Sequence, residues 1–460
     1  MKKLLLSCVV LFLLNILHFN QSQAQDWQNS HSVTLHTQFS TDAYAQKVKV
    51  YNNDYLVGIT KKDGVDRYGF VLWKNNDNYQ KIFMLNTSDI IINDFTFYEN
   101  ILLFSGKQKT PLDEYMAIVG RLNVNDLING VNPSYEYRNL GTADNLTKIL
   151  VNVCSGHMLV SAIGEGSNSI PSSYSHLIHF NLGNSEPIFY NPFAFNQSIP
   201  IEIIWDMFYD DNYLITLSVI NSTSSYVVRY FKYNGNFLEN ENSFVYTFPG
   251  ISFVFDSNPE SYPLHISDIS QNKFAVSVSA SNGQKDFAMI NIHEKGTDSI
   301  YSSQLLYSHD KDNKLLEMEY APEIKRLLLL NDTYFTGAGK IQTITYVNPF
   351  DTNTYVTLME SFNTPSKINH FSMISNKHYA VAGTYSFSQS NNLQLFATKY
   401  IFEPYLNCLD NSLVKIYQNN SIHSNNYITI PAPFMVQIPW TTDNFLVLTE
   451  NITIDCIDNN

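Results

Sequence analysis

The decapeptide YNNDYLVGIT, Tyr51–Thr60, is a polar turn followed by an apolar run with a glycine near its end. The phrase returns as YENILLFSG at Tyr98, CSGHMLVSAIG at Cys154, YDDNYLITLSV at Tyr209, SQNKFAVSVSA at Ser270, LNDTYFTGAG at Leu330 and ISNKHYAVAG at Ile374. Registered on the first apolar residue after the turn, the copies fall at Tyr55, Ile101, Met158, Tyr213, Phe274, Tyr334 and Tyr379, spaced by about 54 residues, near the period of propeller blades. The order within a copy is constant. A first run precedes the turn (IINDFTF, EIIWDMF, LHISDIS), the apolar phrase comes second, and a third run follows a polar loop (RYGFVLWK, YMAIVGRL, YVVRYFKY, KDFAMINI, TITYVNPF). A weaker fourth run, such as QKIFMLN, closes most units. The second runs are apolar on both faces, as a strand sandwiched between neighbouring sheets must be. The fourth are more polar, as outer strands are. This pattern predicts an all-β, seven-bladed β-propeller with four-stranded blades over residues 25–403. Consecutive β-sandwiches, the alternative, give no reason for one phrase to recur at this spacing.

Composition points the same way. The 460 residues are 44% hydrophobic and 14% aromatic but only 15% charged, with 30 Tyr and 30 Phe. Aromatic residues favour strands, and the Asn, Ser, Thr and Asp between the runs are turn chemistry. A net charge of −14 without a basic cluster argues against a nucleic-acid partner. Met1-Lys2-Lys3 followed by the apolar Leu4–Leu17 and by Ser22-Gln23-Ala24 predicts a signal peptide over residues 1–24, hence export to the periplasm, cell surface or medium. No later run is long and apolar enough for a transmembrane span. Cys8 lies in the signal; of the others, Cys408 and Cys456 suit a disulfide in an exported chain, leaving Cys154 as a small apolar residue.

The seventh unit shows three strands and no obvious fourth. The run SVTLHTQF near the N-terminus is predicted to supply it, so that the chain's two ends close the ring and remove two open edges. Beyond Pro404 the pattern changes to VKIYQ, NYITI, FMVQI and NFLVL, read as a small β tail over 404–460 that docks on the propeller or is closed by the disulfide.

The stretch NDYLVGITKKDGVDRYGFVLWKNNDNY, Asn53–Tyr79, resembles the β-propeller repeats of secreted bacterial proteins, with Asn53, Gly58 and Asp66 at matching positions and Asp286 and Asn234-Gly235 in later units. The resemblance implies the fold and export. It carries over no active-site residue, and such repeats imply binding or scaffolding as often as catalysis.

No chemistry-bearing motif stands out. His176 and His179 are three apart, so on a strand they face opposite ways and cannot share an ion. HDKDNKLLEME, His309–Glu319, lacks the glycine and ligand spacing of a calcium loop and reads as a solvated connection. There is no Gly-x-Ser-x-Gly elbow and no phosphate-cradling loop, and no cofactor or metal is predicted. The remaining candidate is the central channel. Asp94, Asp206 and Asp268 stand in comparable first runs, Trp205 adjoins Asp206, and Lys49, Lys148 and His370 occupy related places. Such carboxylates either bind a cation, act as acid and base on a sugar bond, or satisfy backbone donors locally. The expected function is a protein- or glycan-binding scaffold. The alternatives are a carbohydrate-active hydrolase or lyase and a structural envelope or adhesion component.

Overall fold

The computed structural model describes the strands and tight turns between residues 33 and 401, together with 422–423, 441–448 and 452–456. Residues 1–32, the longer loops (among them 38–42, 63–66, 75–79, 140–144, 166–173, 193–201, 254–263, 307–312, 351–358 and 387–392), a few shorter gaps and the rest of the tail lie outside the description. The expected signal peptide over residues 1–24 and Cys408 therefore fall outside it, and so does the expected Cys408–Cys456 pairing.

The described chain is almost wholly antiparallel β, with one short helix at Val124–Asn129. Asn123 caps that helix by accepting from the Asn125 amide, and Gly130, at φ 68°, ends it in the left-handed region. Each recurrent phrase except that at Leu330 leads into the second strand of a meander. Thus Ala43–Tyr51 pairs with Tyr55–Lys62 and Ile90–Tyr98 with Ile101–Lys109, and the pattern continues to Ser366–Ser375 with His378–Ser386. The second strand Lys273–Ser281 is buried at every position but its two ends.

Consecutive units pack face to face around an axis. An apolar core built on Phe70, Phe83, Phe95 and Phe104 joins the first and second units. Others join the fourth to the fifth (Tyr226, Tyr230, Tyr246, Phe274), the fifth to the sixth (Ile290, Leu315, Leu329) and the sixth to the seventh (Leu328, Tyr346, Phe371). Ala380 and Ala382 of the seventh then pack against Val48, Val71 and Trp73 of the first. The first strands touch in the same order, Ser366–Ser375 returning to Ala43–Tyr51. A closed circuit of sheets, each stacked on the next with its first strand innermost, is a β-propeller.

The hydrogen bonding corrects one expectation: the sheets are not seven separate four-stranded blades. Five sheets carry one unit each, and a nine-stranded sheet carries the first two. The join is Thr441–Leu448, from the tail. Its Phe445–Leu448 pair with Ile82–Leu85, and its Thr441–Asn444 pair with Ser134–Tyr137. The tail is woven in elsewhere too, Ile422–His423 beside Phe244–Val245 and Ile452–Cys456 beside Val33–Thr37. That N-terminal strand itself pairs with Leu395–Lys399 of the seventh unit. Two further readings change. Residues 313–319 of the segment read as a solvated connection form the first strand Asn313–Ala321 of the sixth unit. The second strand of that unit starts at Arg326, not near Tyr334.

Candidate functional site on the axis

The inner strands share a local device. In six of them one extra residue interrupts the pairing: Gln46, Asn93, Thr147, Trp205, Leu316 and Asn369. Directly after each bulge stands a chargeable residue: Lys47, Asp94, Lys148, Asp206, Glu317 or His370. A bulge re-aims the next side chain and sharpens the local twist, so the same position recurs at the axis in unit after unit. In the fifth unit the irregularity comes later, between Asp268 and Ser270, and His265 takes the corresponding place.

These groups meet. Lys47 bonds Asp94 of the next unit. His265 Nδ1 lies 3.8 Å from Asp206 Oδ2 and 3.4 Å from Glu317 Oε1, and His370 Nε2 lies 3.5 Å from Glu317 Oε2. The side chains are 5% exposed at Asp94 and 28% at Asp206, so the cluster is recessed yet reachable. Two residues further along two of these strands, Lys49 and Glu319 form a second layer on the same strand faces. Burial depresses the Lys47 ammonium, but Asp94, Glu317 and Asp206 together hold it above the usual lysine range. Burial, aided by Lys47, brings Lys49 down to about 8. Burial, aided by Glu317, pushes Glu319 up to about 7.

The same side chains also brace the ring. A propeller's inner strands have no ladder to one another, so their outward N–H and C=O groups need partners. Asp206 accepts from the Ile266 amide of the next unit at 3.0 Å and from its own Met207 amide at 2.9 Å. His265 reaches Leu316 O at 2.9 Å, Glu319 accepts from the Met373 amide at 3.1 Å, and Asn369 donates to Ala45 O at 2.7 Å. Ser279 exchanges bonds with both backbone groups of Leu315.

Of the residues singled out from the sequence, Asp94, Asp206, Lys49 and His370 are in this cluster. Lys148 takes the corresponding backbone position, opposite Ile163. Trp205 packs on the apolar core between the fourth and fifth units. Asp268 is not axial: 43% exposed, it pairs with Lys295, which also holds Asp210. It lies three residues from His265 on one strand, and such residues face opposite ways. Lys47, His265, Glu317 and Glu319 were missed. The signal that finds Lys47, His265 and Glu317 is the position four or five residues before the end of the first strand, and Glu319 stands two residues beyond Glu317. Counting back from the second strand obscures it, because the turns differ in length. His176 and His179 lie on the strand Tyr174–Asn181 of the third unit. Among the described residues no group of His, Cys, Asp and Glu is arranged to hold a metal ion, and no helix is long and apolar enough to cross a membrane.

No protein-family model matches the chain, and no curated protein does. Among solved structures it is similar to the β-propeller domain of the trilobed protease of Pyrococcus furiosus, at 8% identity over 81% of this chain and 100% of that one, TM-score 0.46. It is also similar to a prolyl endopeptidase (11% identity, 83% of this chain, 50% of that one, TM-score 0.45). A third is a polysaccharide lyase (8% identity, 78% and 90%, TM-score 0.44). At these scores the likenesses carry no argument about what the axial cluster does; the propeller stands on the stacked sheets themselves.

Proposed function

We propose that the protein is an exported β-propeller that binds a glycan or a protein ligand through its axial cluster and serves as a binding or scaffold module. The observation that carries this is the repeated bulge with a chargeable residue behind it. Ammonium, imidazole and carboxylate groups side by side around one opening offer donors and acceptors in alternation, which suits a ligand rich in hydroxyl or amide groups. Export rests on residues 1–24; a mature protein beginning near Gln25 in the extracytoplasmic fraction supports it, and full-length chain confined to the cytoplasm counts against it. The binding test is a glycan array and a pull-down with the mature protein, repeated with Glu317→Gln and His370→Gln. A ligand whose affinity falls about tenfold in either variant, a loss of about 1.4 kcal/mol, supports the site. Ligands indifferent to both variants refute it.

A hydrolase or lyase acting on a sugar chain is the second reading. Asp206 and Glu317 both approach one imidazole nitrogen, so their oxygens lie no more than about 7 Å apart, within the separation glycosidase pairs use. Glu319, pushed up to about 7, has the character of an acid that keeps its proton near neutral pH. Both Asp206 oxygens already accept backbone amides, which favours the binding reading. Release of reducing ends or unsaturated sugars from a polysaccharide panel, abolished in Glu319→Gln, reverses that preference.

A further inference from the structure

The two lysines of the first inner strand, Lys47 and Lys49, stand two residues apart on one face and are treated very differently. Lys47 is bonded to Asp94. Lys49 makes no hydrogen bond or ion pair among the described residues; its ammonium lies 6.0 Å from the Phe95 ring centroid. The charged groups acting on it are Lys47 on its own strand, Asp94 on the second unit, Asp206 on the fourth and Glu319 on the sixth. A half-buried amine beside a fixed ammonium is an arrangement that favours a nucleophilic lysine, because desolvation and the like charge both penalise its protonated form. Glu319 lies in the same layer. One of its oxygens, Oε2, accepts from the Met373 amide, so Oε1 is the oxygen left to handle a proton.

We infer that Lys49 is a carbonyl-reactive lysine that condenses with an aldehyde or ketone, such as the open-chain end of a reducing sugar, to form an imine, with Glu319 moving the proton. The amine nitrogen attacks the carbonyl carbon, forming the C–N bond and breaking the C=O π bond. The Glu319 carboxyl gives its proton to the oxygen, and the carboxylate takes one back from nitrogen. A second protonation of the oxygen lets it leave as water as the C=N bond forms. Nothing is oxidised or reduced. Lys47 holds no such role, since its ion pair keeps it protonated. The inference rests on the axial reading above only in taking the cluster to be reachable by small molecules.

The test uses the mature protein, glyceraldehyde as the carbonyl probe and cyanoborohydride to trap the imine, with peptide mapping by mass spectrometry near neutral pH. Lys49, brought down to about 8, is expected to be trapped on the order of 10 to 100 times faster than exposed Lys232, the larger share of free amine being partly offset by its lower basicity. Glu319→Gln is expected to slow trapping at Lys49 several-fold and leave Lys232 unchanged. In concentrated urea the preference is expected to vanish. Trapping at Lys49 no faster than at Lys232, or a preference that survives unfolding, overturns the inference. No ligand is needed, so a failed glycan array with a reactive Lys49 sinks only the binding reading. An inert Lys49 with a positive array sinks only this one.

Discussion

Replacing Asp206 tests the bracing of the ring directly. Its carboxylate joins two units through the Ile266 amide at 3.0 Å and steadies its own strand through the Met207 amide at 2.9 Å. The Ile266 N–H faces away from the second strand of its own sheet, so no ladder bond replaces the lost acceptor. Hydrogen bonds to a charged acceptor contribute about 1.5–3 kcal/mol each. Asp206→Ala is therefore expected to cost about 3 kcal/mol in all and about 2 kcal/mol at Ile266, which is roughly a 30-fold faster exchange of that amide. Asp206→Asn keeps one carbonyl oxygen and turns its amide group toward the other donor, so about half of the loss is expected. The assay is hydrogen exchange of the segment Leu264–Ser270 alongside the urea midpoint. Unchanged Ile266 exchange in Asp206→Ala, or an Asn variant worse than the Ala one, refutes the bracing argument.

A Cβ added at Gly120 would fall inside the Phe104 ring, so Gly120→Ala is expected to destabilise by about 1–3 kcal/mol; an unchanged denaturation midpoint counts against that packing. Glu319 is held at about 7 in the folded chain against 4.5 in the open one. The folded state thus binds the extra proton between those values, and its stability is full below 4.5 and falls as pH rises through 7, by about 3 kcal/mol at most. Glu319→Gln is expected to flatten urea midpoints over that window and raise them at pH 8; a parallel curve refutes it. Deleting Thr441–Asn460 removes the bridging strand and the Tyr135–Asp443 bond of 3.1 Å. A fall in melting temperature and concentration-dependent association are expected by calorimetry and light scattering, whereas a monomer of unchanged stability counts against the bridge.

The all-β meander was legible because its cause is local: a short apolar run without alternation, rich in aromatic and β-branched residues and bounded by turns, reads as a doubly covered strand, and the turn before it is written in Asn and Asp. What resisted was anything set by partners far along the chain. NFLVL reads as a strand, but nothing local says that Phe445–Leu448 will pair with Ile82–Leu85 and fuse two units into one sheet. The axial residues resisted for a geometric reason. One inserted residue reverses which face every later side chain takes, so Asp268 and His265 cannot be told apart without knowing where the irregularity lies. Glu317 and Glu319 were hidden by the sixth unit, whose hairpin closes at Ala321 and Arg326 while its most familiar-looking phrase lies further on. Asp94 and Asp206 were legible because their units carry short turns of the same length.

The bridge between the first two units has a consequence for how the chain is made. Residues 80–85 and 134–139 leave the ribosome about three hundred residues ahead of the strand that lies between them. Until Thr441–Leu448 arrives, two sheet edges stand open with their amides and carbonyls unspent, a template for any passing strand. Synthesis thus delivers the first two units with an unlatched seam, and Thr441–Leu448 decides whether it closes on itself or on a neighbour.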